Sequence, residues 1–300
     1  MTSLLPFLLG ATLVSGLALS GVRAADFTFQ SDVEYLGAER TEKLDVYLPP
    51  ESFPRPVPAM LLIHGGGWTI GDKADKRERN IGATLAAHGI AVFSINYLLD
   101  KVEKDEQGKK KSVTKAWPQN FYDCKSALRF MKKESARFGI DPQRIGVMGG
   151  SAGGHLAMLV GVTGQAAAMN QGGLYLDQDN GVRCIIDLYG IHDVRKFQPS
   201  HFSGSTPEET ERNLDAASPC TYFSSQTPPL LILHGDADKI VNVEMSRDLV
   251  RQLQAKGIVH EYVEVPGAPH TFHLEPKEMD LRPVTLKFLD TYLVGAPAKP

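Results

Sequence analysis

The feature that most constrains this chain is a glycine-rich hexapeptide, GGSAGG at residues 149–154, which directly follows a short apolar run. Residues 145–148 (IGVM) are typical of a buried strand, and the residues after the hexapeptide favour a helix. A strand that runs straight into a helix must reverse sharply at Ser151, in a strained backbone conformation. Side chains at Gly149 or Gly153 would collide in such a turn. The sequence therefore predicts that the Ser151 hydroxyl stands at the start of a helix, where the helix dipole favours negative charge. Taken alone, the motif also fits a tight glycine-rich turn around a serine that has no catalytic role.

The rest of the chain alternates strand-like and helix-like segments. Apolar runs at residues 59–63, 90–95 and 230–233 are typical of strands buried on both faces. Apolar residues at helical spacing predict one helix over residues 119–137, followed by a turn at residues 139–142. This alternation predicts an α/β fold with a mostly parallel sheet.

The first 24 residues form a separate segment. Residues 4–22 carry no charge, and Val22-Arg23-Ala24 offers small residues at the two positions that a signal peptidase recognises. We interpret residues 1–24 as a secretory signal peptide, which implies a secreted or periplasmic protein without stable membrane association after cleavage. An uncleaved membrane anchor is the alternative. Residues 25–300 are expected to form a single domain.

Composition excludes several classes of function. The chain has 300 residues, 32 Lys and Arg, 35 Asp and Glu, and a net charge of −3, so it lacks the basic excess of a nucleic-acid-binding protein. Its three cysteines are scattered and no HExxH or acidic ligand pattern occurs, so we expect no metal and no cofactor. One disulfide is possible in an exported protein, but the sequence selects no pair.

Residues 101–115 (KVEKDEQGKKKSVTK) interrupt the alternation. They are highly charged and lack apolar periodicity, which favours a solvated surface insertion. The alternative is a flap over the functional site that contacts an acidic substrate.

A second glycine-rich motif, HGGGW at residues 64–68, directly follows the strand-like run at residues 59–63. Successive glycines leave backbone N–H groups free to point at a ligand. Such donors can stabilise an oxyanion, and the pair would be Ala152 N–H with that of Gly66 or Gly67. A phosphate loop is disfavoured because neither GxxxxGK[ST] nor GxGxxG is present. His64 would shape the loop by hydrogen bonding.

A serine nucleophile needs a base, and the base needs an orienting acid. In this strand–turn–helix geometry the chain order is serine, acid, histidine. His270 follows the strand-like run at residues 258–265, with His273 as the alternative base. Asp238 is preferred as the acid over Asp236, because it lies further along the loop after residues 230–233.

The motifs HGGGW, GGSAGGH, HGDAD and PGAPHTF, in this order, resemble those of the α/β-hydrolase superfamily. More narrowly, residues 43–293 are similar to exported esterases related to the hormone-sensitive-lipase group, such as feruloyl, acetylxylan and general carboxylesterases. The resemblance implies a mostly parallel sheet of about eight strands with helices on both faces. It also implies a nucleophile, an acid, a base and three oxyanion donors, at Ser151, Asp238, His270, Gly66, Gly67 and Ala152.

Three features depart from the hormone-sensitive-lipase pattern. Gly150 stands where that group usually has an acidic residue, and the residues before the HGGGW motif do not suggest a helical cap. Asn242 stands where relatives often have proline. Residues 190–229 are the better candidates for a cap or pocket wall. These departures concern the substrate more than the reaction.

The function expected from the sequence is that of a secreted serine esterase acting through an acyl-enzyme. Its substrate would be a small-molecule or polysaccharide-linked ester with a short acyl, acetyl or feruloyl group. One alternative is a secreted serine peptidase of the prolyl-oligopeptidase type, although no propeller-like N-terminal domain is evident. The other is an inactive binding module on the same fold.

Overall fold

The computed structural model describes residues 27–295 except residues 105 and 109. The predicted signal peptide lies outside the described residues. The strands are β1 (Thr28–Val33), β2 (Leu44–Leu48), β3 (Val57–Ile63), β4 (Ala91–Ile95), β5 (Lys101–Lys104), β6 (Lys110–Thr114), β7 (Ile140–Gly150), β8 (Ile185–Leu188), β9 (Leu230–Gly235) and β10 (His260–Val265). The α-helices are α1 (Lys76–Ala87), α2 (Gln119–Lys133), α3 (Ser135–Phe138), α4 (Ala152–Val162), α5 (Pro207–Ala217), α6 (Glu244–Ala255) and α7 (Arg282–Leu289).

Eight of these strands form one sheet in the order β1-β2-β4-β3-β7-β8-β9-β10. Strand β2 is antiparallel to both of its neighbours, and every other neighbouring pair is parallel. The parallel strands all end at the same edge of the sheet, where functional sites of such folds lie. The predicted mostly parallel sheet of about eight strands is confirmed.

Helices cover both faces of this sheet because its central strands are buried on both sides. Along β3, Leu61 and Ile63 join the core beneath α2, α4 and α6, whereas Met60 and Leu62 join the core beneath α1 and α7. All seven residues of β3 are buried. A continuous apolar strand between two helical layers is the arrangement that the α/β pattern predicts.

The segment between α2 and β7 differs from its predicted form. The single helix expected over residues 119–137 divides into α2 and α3, and α3 ends at Gly139, whose φ of +63° is left-handed. The turn expected at residues 139–142 is wrong, because β7 begins at Ile140 opposite Val57. From that pair to Ala59–Ile145, β7 advances five residues while β3 advances two. The turn-forming residues therefore lie within a bulge inside the strand.

The charged insertion at residues 101–115 contains regular structure, which its lack of apolar periodicity did not indicate. Strands β5 and β6 form an antiparallel hairpin, with Val102 opposite Val113. Its base is joined to a later part of the chain by Lys115, whose Nζ donates to the Ser203 carbonyl oxygen at 2.6 Å. A hairpin is stabilised by pairing between neighbouring strands, so it does not require an apolar face.

Two further findings concern the described residues as a whole. All three cysteines are free: Cys124 and Cys184 are buried, and Cys220 is partly exposed. Within the same residues, no helix combines the length and the apolar character that crossing a bilayer demands.

Candidate active site

The sharp turn around Ser151 joins β7 to α4. Ser151 has φ of +57° and ψ of −124°, a strained conformation for a residue with a side chain. A Cβ at Gly149 would lie 2.3 Å from the Gly153 carbonyl oxygen, and one at Gly153 would lie 2.1 Å from that of Ile63. Both distances are far below van der Waals contact, so the turn requires glycine at both positions. It places the Ser151 side chain at the first turn of α4.

Three side chains from distant parts of the chain form a hydrogen-bonded series at this turn. His270, in the loop after β10, has its Nε2 3.0 Å from Ser151 Oγ. Its Nδ1 lies 2.6 Å from Oδ2 of Asp238, in the loop after β9. An ionised carboxylate can only accept, so Nδ1–H donates to Asp238 and Nε2 is left to accept the Ser151 proton. The arrangement is that of a serine activated by an oriented base.

The Asp238 carboxylate is held by donors on both of its oxygens. Oδ1 accepts the N–H groups of Ile240 and Val241 at 2.8 and 3.0 Å, and Oδ2 lies 3.2 Å from His234 Nε2. Burial opposes ionisation, but hydrogen bonds from His234, His270 and Ile240 outweigh it and hold the Asp238 pKa well below its ordinary value. Asp238 therefore remains a carboxylate across the physiological range.

The two alternative residues considered above have other partners. His273 Nδ1 accepts the Glu275 N–H at 3.0 Å, and Asp236 Oδ1 accepts the Gly267 N–H at 2.6 Å. Each thereby stabilises the backbone of the loop after β10. The structure brings Asp238 and His270 to Ser151, and it does not bring Asp236 or His273 there.

The glycine loop, which comprises residues 64–70 after β3, lies against the turn at Ser151. Gly66 has φ of +108°, and a Cβ there would lie 2.0 Å from the Ile70 carbonyl oxygen. No acceptor within the described residues takes the N–H of Gly66, Gly67 or Ala152. These three residues line the same cavity of about 430 Å³ as Ser151. Three residues with unpaired backbone N–H groups therefore line the cavity that contains Ser151.

His64 fixes the start of this loop. Its ring stacks on Tyr97 at a centroid distance of 4.4 Å, and its Nδ1 lies 2.7 Å from the Gly65 carbonyl oxygen. The Tyr97 hydroxyl donates to the His64 carbonyl oxygen at 2.9 Å. Burial lowers the pKa of His64 to about 4, so the ring is neutral at physiological pH. These contacts agree with a role in shaping the loop.

Sequence reasoning missed a buried group beneath the site. Arg77 donates from Nη1 to the Tyr189 hydroxyl at 2.9 Å, and Tyr189 donates to the Phe272 carbonyl oxygen at 2.8 Å. The Tyr189 ring packs edge-on against His270 at a centroid distance of 4.8 Å. Glu78 neutralises Arg77, accepting from its Nε at 2.8 Å. This network links the start of α1 to the loop that carries His270.

The same guanidinium explains the glycine before Ser151. A Cβ at Gly150 would lie 2.4 Å from Arg77 Nη1 and 3.1 Å from the Tyr189 hydroxyl. The space that a side chain would need at position 150 is therefore occupied by Arg77.

Neighbouring segments complete the cavity wall. Phe197 and Gln198, within the predicted cap or wall segment, line the cavity. No described residue of the β5–β6 hairpin does so, which gives no support to the flap interpretation. Trp68 in the glycine loop donates from Nε1 to His155 Nδ1 at 3.2 Å. Burial lowers the pKa of His155 to about 4, in keeping with a packing role.

Metal ligation is not evident from the side chains. Across residues 27–295, omitting 105 and 109, no group of three or more His, Cys, Asp and Glu side chains is placed to hold a metal ion.

Comparisons with known proteins find relatives that are named as ester hydrolases. "Probable carboxylic ester hydrolase LipM" of Mycobacterium tuberculosis is 29% identical over 264 residues, which cover 83% of this chain and 57% of that protein. "Esterase LipQ" of the same organism is 30% identical over 256 residues, which cover 81% of this chain and again 57% of the relative. The chain thus spans little more than half the length of these relatives.

Solved structures show the same fold. A "truncated form of carbohydrate esterase from gut microbiota" superposes with a TM-score of 0.73 at 25% identity, covering 90% of this chain and 98% of that one. An "acetyl ester-xyloside bifunctional hydrolase" from Caldicellulosiruptor lactoaceticus gives a TM-score of 0.67 at 25% identity, covering 83% and 88%. These similarities confirm the α/β-hydrolase fold.

A family model also matches the chain directly. The match is to the family described as BD-FAE and covers residues 44–253, from the start of β2 into the last turn of α6. It contains the glycine loop, the turn at Ser151 and the loop of Asp238. Because the match extends over more than half of the sequence, the chain belongs to the BD-FAE family.

Proposed function

We propose that this protein is a serine esterase that hydrolyses carboxylic esters through an acyl-enzyme intermediate. The observation that carries the proposal is the series Asp238–His270–Ser151, with spacings of 2.6 and 3.0 Å, at a cavity bordered by free backbone N–H groups. The relatives, whose names are those of an esterase and of a probable carboxylic ester hydrolase, support the same reaction class. Export is part of the proposal and rests on the sequence of residues 1–24 alone.

The first half of the reaction forms the acyl-enzyme. His270 Nε2 accepts the Ser151 hydroxyl proton as Oγ bonds to the ester carbonyl carbon. The former carbonyl oxygen carries the negative charge, and the N–H groups of Gly66, Gly67 and Ala152 stabilise it. When the carbonyl re-forms, the bond from the carbonyl carbon to the alcohol oxygen breaks, and His270 gives the proton to the departing alcohol.

The second half returns the enzyme to its starting state. A water molecule gives a proton to His270 Nε2 and attacks the acyl carbon, forming a second oxyanion at the same N–H groups. The bond to Ser151 Oγ then breaks, His270 returns the proton to that oxygen, and the carboxylic acid leaves. Asp238 holds the imidazole in one tautomer and stabilises its charged form in both halves.

The substrate class that we propose is a short acyl ester or a carbohydrate-linked acetyl or feruloyl ester. Its support is indirect: one structural neighbour is named as a carbohydrate esterase and another as an acetyl ester-xyloside hydrolase. The cavity of about 430 Å³ has the size of a small-molecule site.

Labelling with a fluorophosphonate tests the proposed chemistry. We expect one equivalent of probe on Ser151, located by peptide mass spectrometry, because only an activated serine attacks phosphorus at a useful rate. Heat-denatured protein serves as the control and should remain unlabelled. A folded protein that does not react at Ser151 would be an inactive module, and hydrolysis of proline-containing peptides in preference to esters would favour the peptidase alternative.

The acid can be tested with a matched pair of variants. Asp238→Asn should lower kcat by roughly 10⁴-fold, because an amide stabilises the wrong imidazole tautomer and leaves no acceptor for the Ser151 proton. Asp236→Asn, two residues away, should change kcat by less than about threefold, since Asp236 accepts only a loop N–H. Steady-state kinetics on p-nitrophenyl acetate measures both. Equal losses in the two variants would remove Asp238 from its assigned role.

A further inference from the structure

Two unusually exposed isoleucines stand at the cavity that contains Ser151. Ile70 is 69% exposed and Ile240 is 60% exposed, the highest values among the large apolar side chains of the described residues. Both line this cavity, although they belong to separate loops after β3 and β9. Isolated exposed apolar residues are common on protein surfaces. Two from independent loops at one cavity form a defined apolar surface beside the reactive serine.

The backbone of each isoleucine is tied to the reaction machinery. The Ile70 N–H donates to the Gly66 carbonyl oxygen at 3.1 Å, within the glycine loop. The Ile240 N–H donates to Asp238 Oδ1 at 2.8 Å. The backbone of both residues is therefore fixed relative to Ser151, and a ligand that contacts their side chains does not have to order it.

The other lining residues favour an apolar ligand at this position over a charged one. Phe197 adds a half-buried aromatic ring to the same cavity. Arg77 and Glu78 also line it and form an ion pair with each other. The exposed Asp75 and Lys76 line it as well and carry opposite charges, so these four side chains give the cavity no net charge. The volume of about 430 Å³ exceeds the need of an acetyl group and falls in the range of whole small ligands.

We infer that Ile70 and Ile240 form an apolar clamp that selects esters carrying an aliphatic chain of four to eight carbons or an aromatic ring. The inference rests on the proposed esterase function and narrows its substrate class. The clamp works by removing methylene or ring carbons from water as the ester enters the site. Each methylene group so transferred raises affinity by about threefold to fourfold. An ester without such carbons, such as methyl acetate, gains nothing from the clamp.

Two substrate series separate the acyl from the alcohol part of the ester. The acyl series is p-nitrophenyl acetate, butyrate, hexanoate and octanoate, and the alcohol series is methyl, butyl and benzyl acetate. In at least one of the two series, we expect kcat/KM of the wild-type enzyme to rise as the acyl or alcohol group that varies gains carbon atoms. In the double variant Ile70→Ser/Ile240→Ser, the ratio of kcat/KM between the larger and the smallest ester of that series should fall about tenfold.

Leu176 supplies the matched control. It is 58% exposed, nearly as much as Ile240, but does not line this cavity. Leu176→Ser should therefore leave both the ratio and the activity unchanged, whereas Ile70→Leu/Ile240→Leu should restore most of the ratio. The inference is overturned if both series are flat in the wild type, or if the serine variants keep the wild-type ratio. Failure of the esterase proposal is distinguishable, because then the wild-type enzyme would hydrolyse no ester of either series faster than Ser151→Ala does.

Discussion

Replacing Ser151 by alanine should reduce kcat for p-nitrophenyl esters by roughly 10⁶-fold, to the residual rate that binding and oxyanion stabilisation provide without a nucleophile. The Ser151 Oγ is the only atom that this substitution removes, and in the structure its described partner is His270 Nε2. The Tm should change little. Alanine keeps the Cβ, and glycines at positions 149 and 153 preserve the turn. Stopped assays at high enzyme concentration, with the Tm measured in parallel, check both expectations.

A suitable control for this variant is Ser224→Ala, since Ser224 is exposed and lies outside the cavity that contains Ser151. It should retain wild-type kcat and KM. Turnover by Ser151→Ala within tenfold of the wild type would move the chemistry to another residue and would end the acyl-enzyme mechanism.

His270→Ala should cost about as much as Ser151→Ala, because the two residues act as a unit and the loss of either removes the activated nucleophile. His273→Ala should lower kcat by less than about fivefold. Its Nδ1 only accepts the Glu275 N–H, so its loss loosens a loop without removing a base. Measurement of kcat for both variants, between pH 6 and 9, separates the roles of two histidines that are three residues apart.

The comparison of His270→Ala with His273→Ala also tests which histidine is the base. If His273→Ala lost activity as severely as His270→Ala, the base would have to be reassigned, since the 3.0 Å contact with Ser151 Oγ belongs to His270. Added imidazole offers a second readout. It should partly restore His270→Ala by occupying the space of the missing ring, and it should not affect His273→Ala.

The parts of the site that could be predicted from sequence are those with local requirements. The turn at Ser151 needs a strand, two glycines and a helix in one continuous stretch, so the motif itself contains the geometry. The glycine loop is similar, because it directly follows a buried strand. The sequence favoured Asp238 over Asp236 as the acid but did not decide between them. In the structure, the backbone N–H groups of Ile240 and Val241 orient the Asp238 carboxylate.

The buried network could not be predicted because it depends on how distant elements pack. Arg77 and Tyr189 are 112 residues apart in sequence, and they meet because α1 begins close to the end of β8. His234 presents the same difficulty. It lies in the buried strand β9, and its ring lies against the Asp238 carboxylate because the loop after β9 folds back onto that strand. The bulge in β7 was not predicted for a different reason. Its residues are of turn-forming types, but β7 pairs with β3 on both sides of them, so they lie inside the strand.

The position of Arg77 beside Gly150 restricts the substitutions that position 150 tolerates. A lone substitution that introduces the acidic residue of the hormone-sensitive-lipase group at position 150 meets the guanidinium at 2.4 Å. Shortening Arg77 beforehand would open the space but leave the buried Glu78 charge without its counterion, which is costly in a protein interior. We therefore expect substitutions at positions 77, 78 and 150 to be energetically coupled.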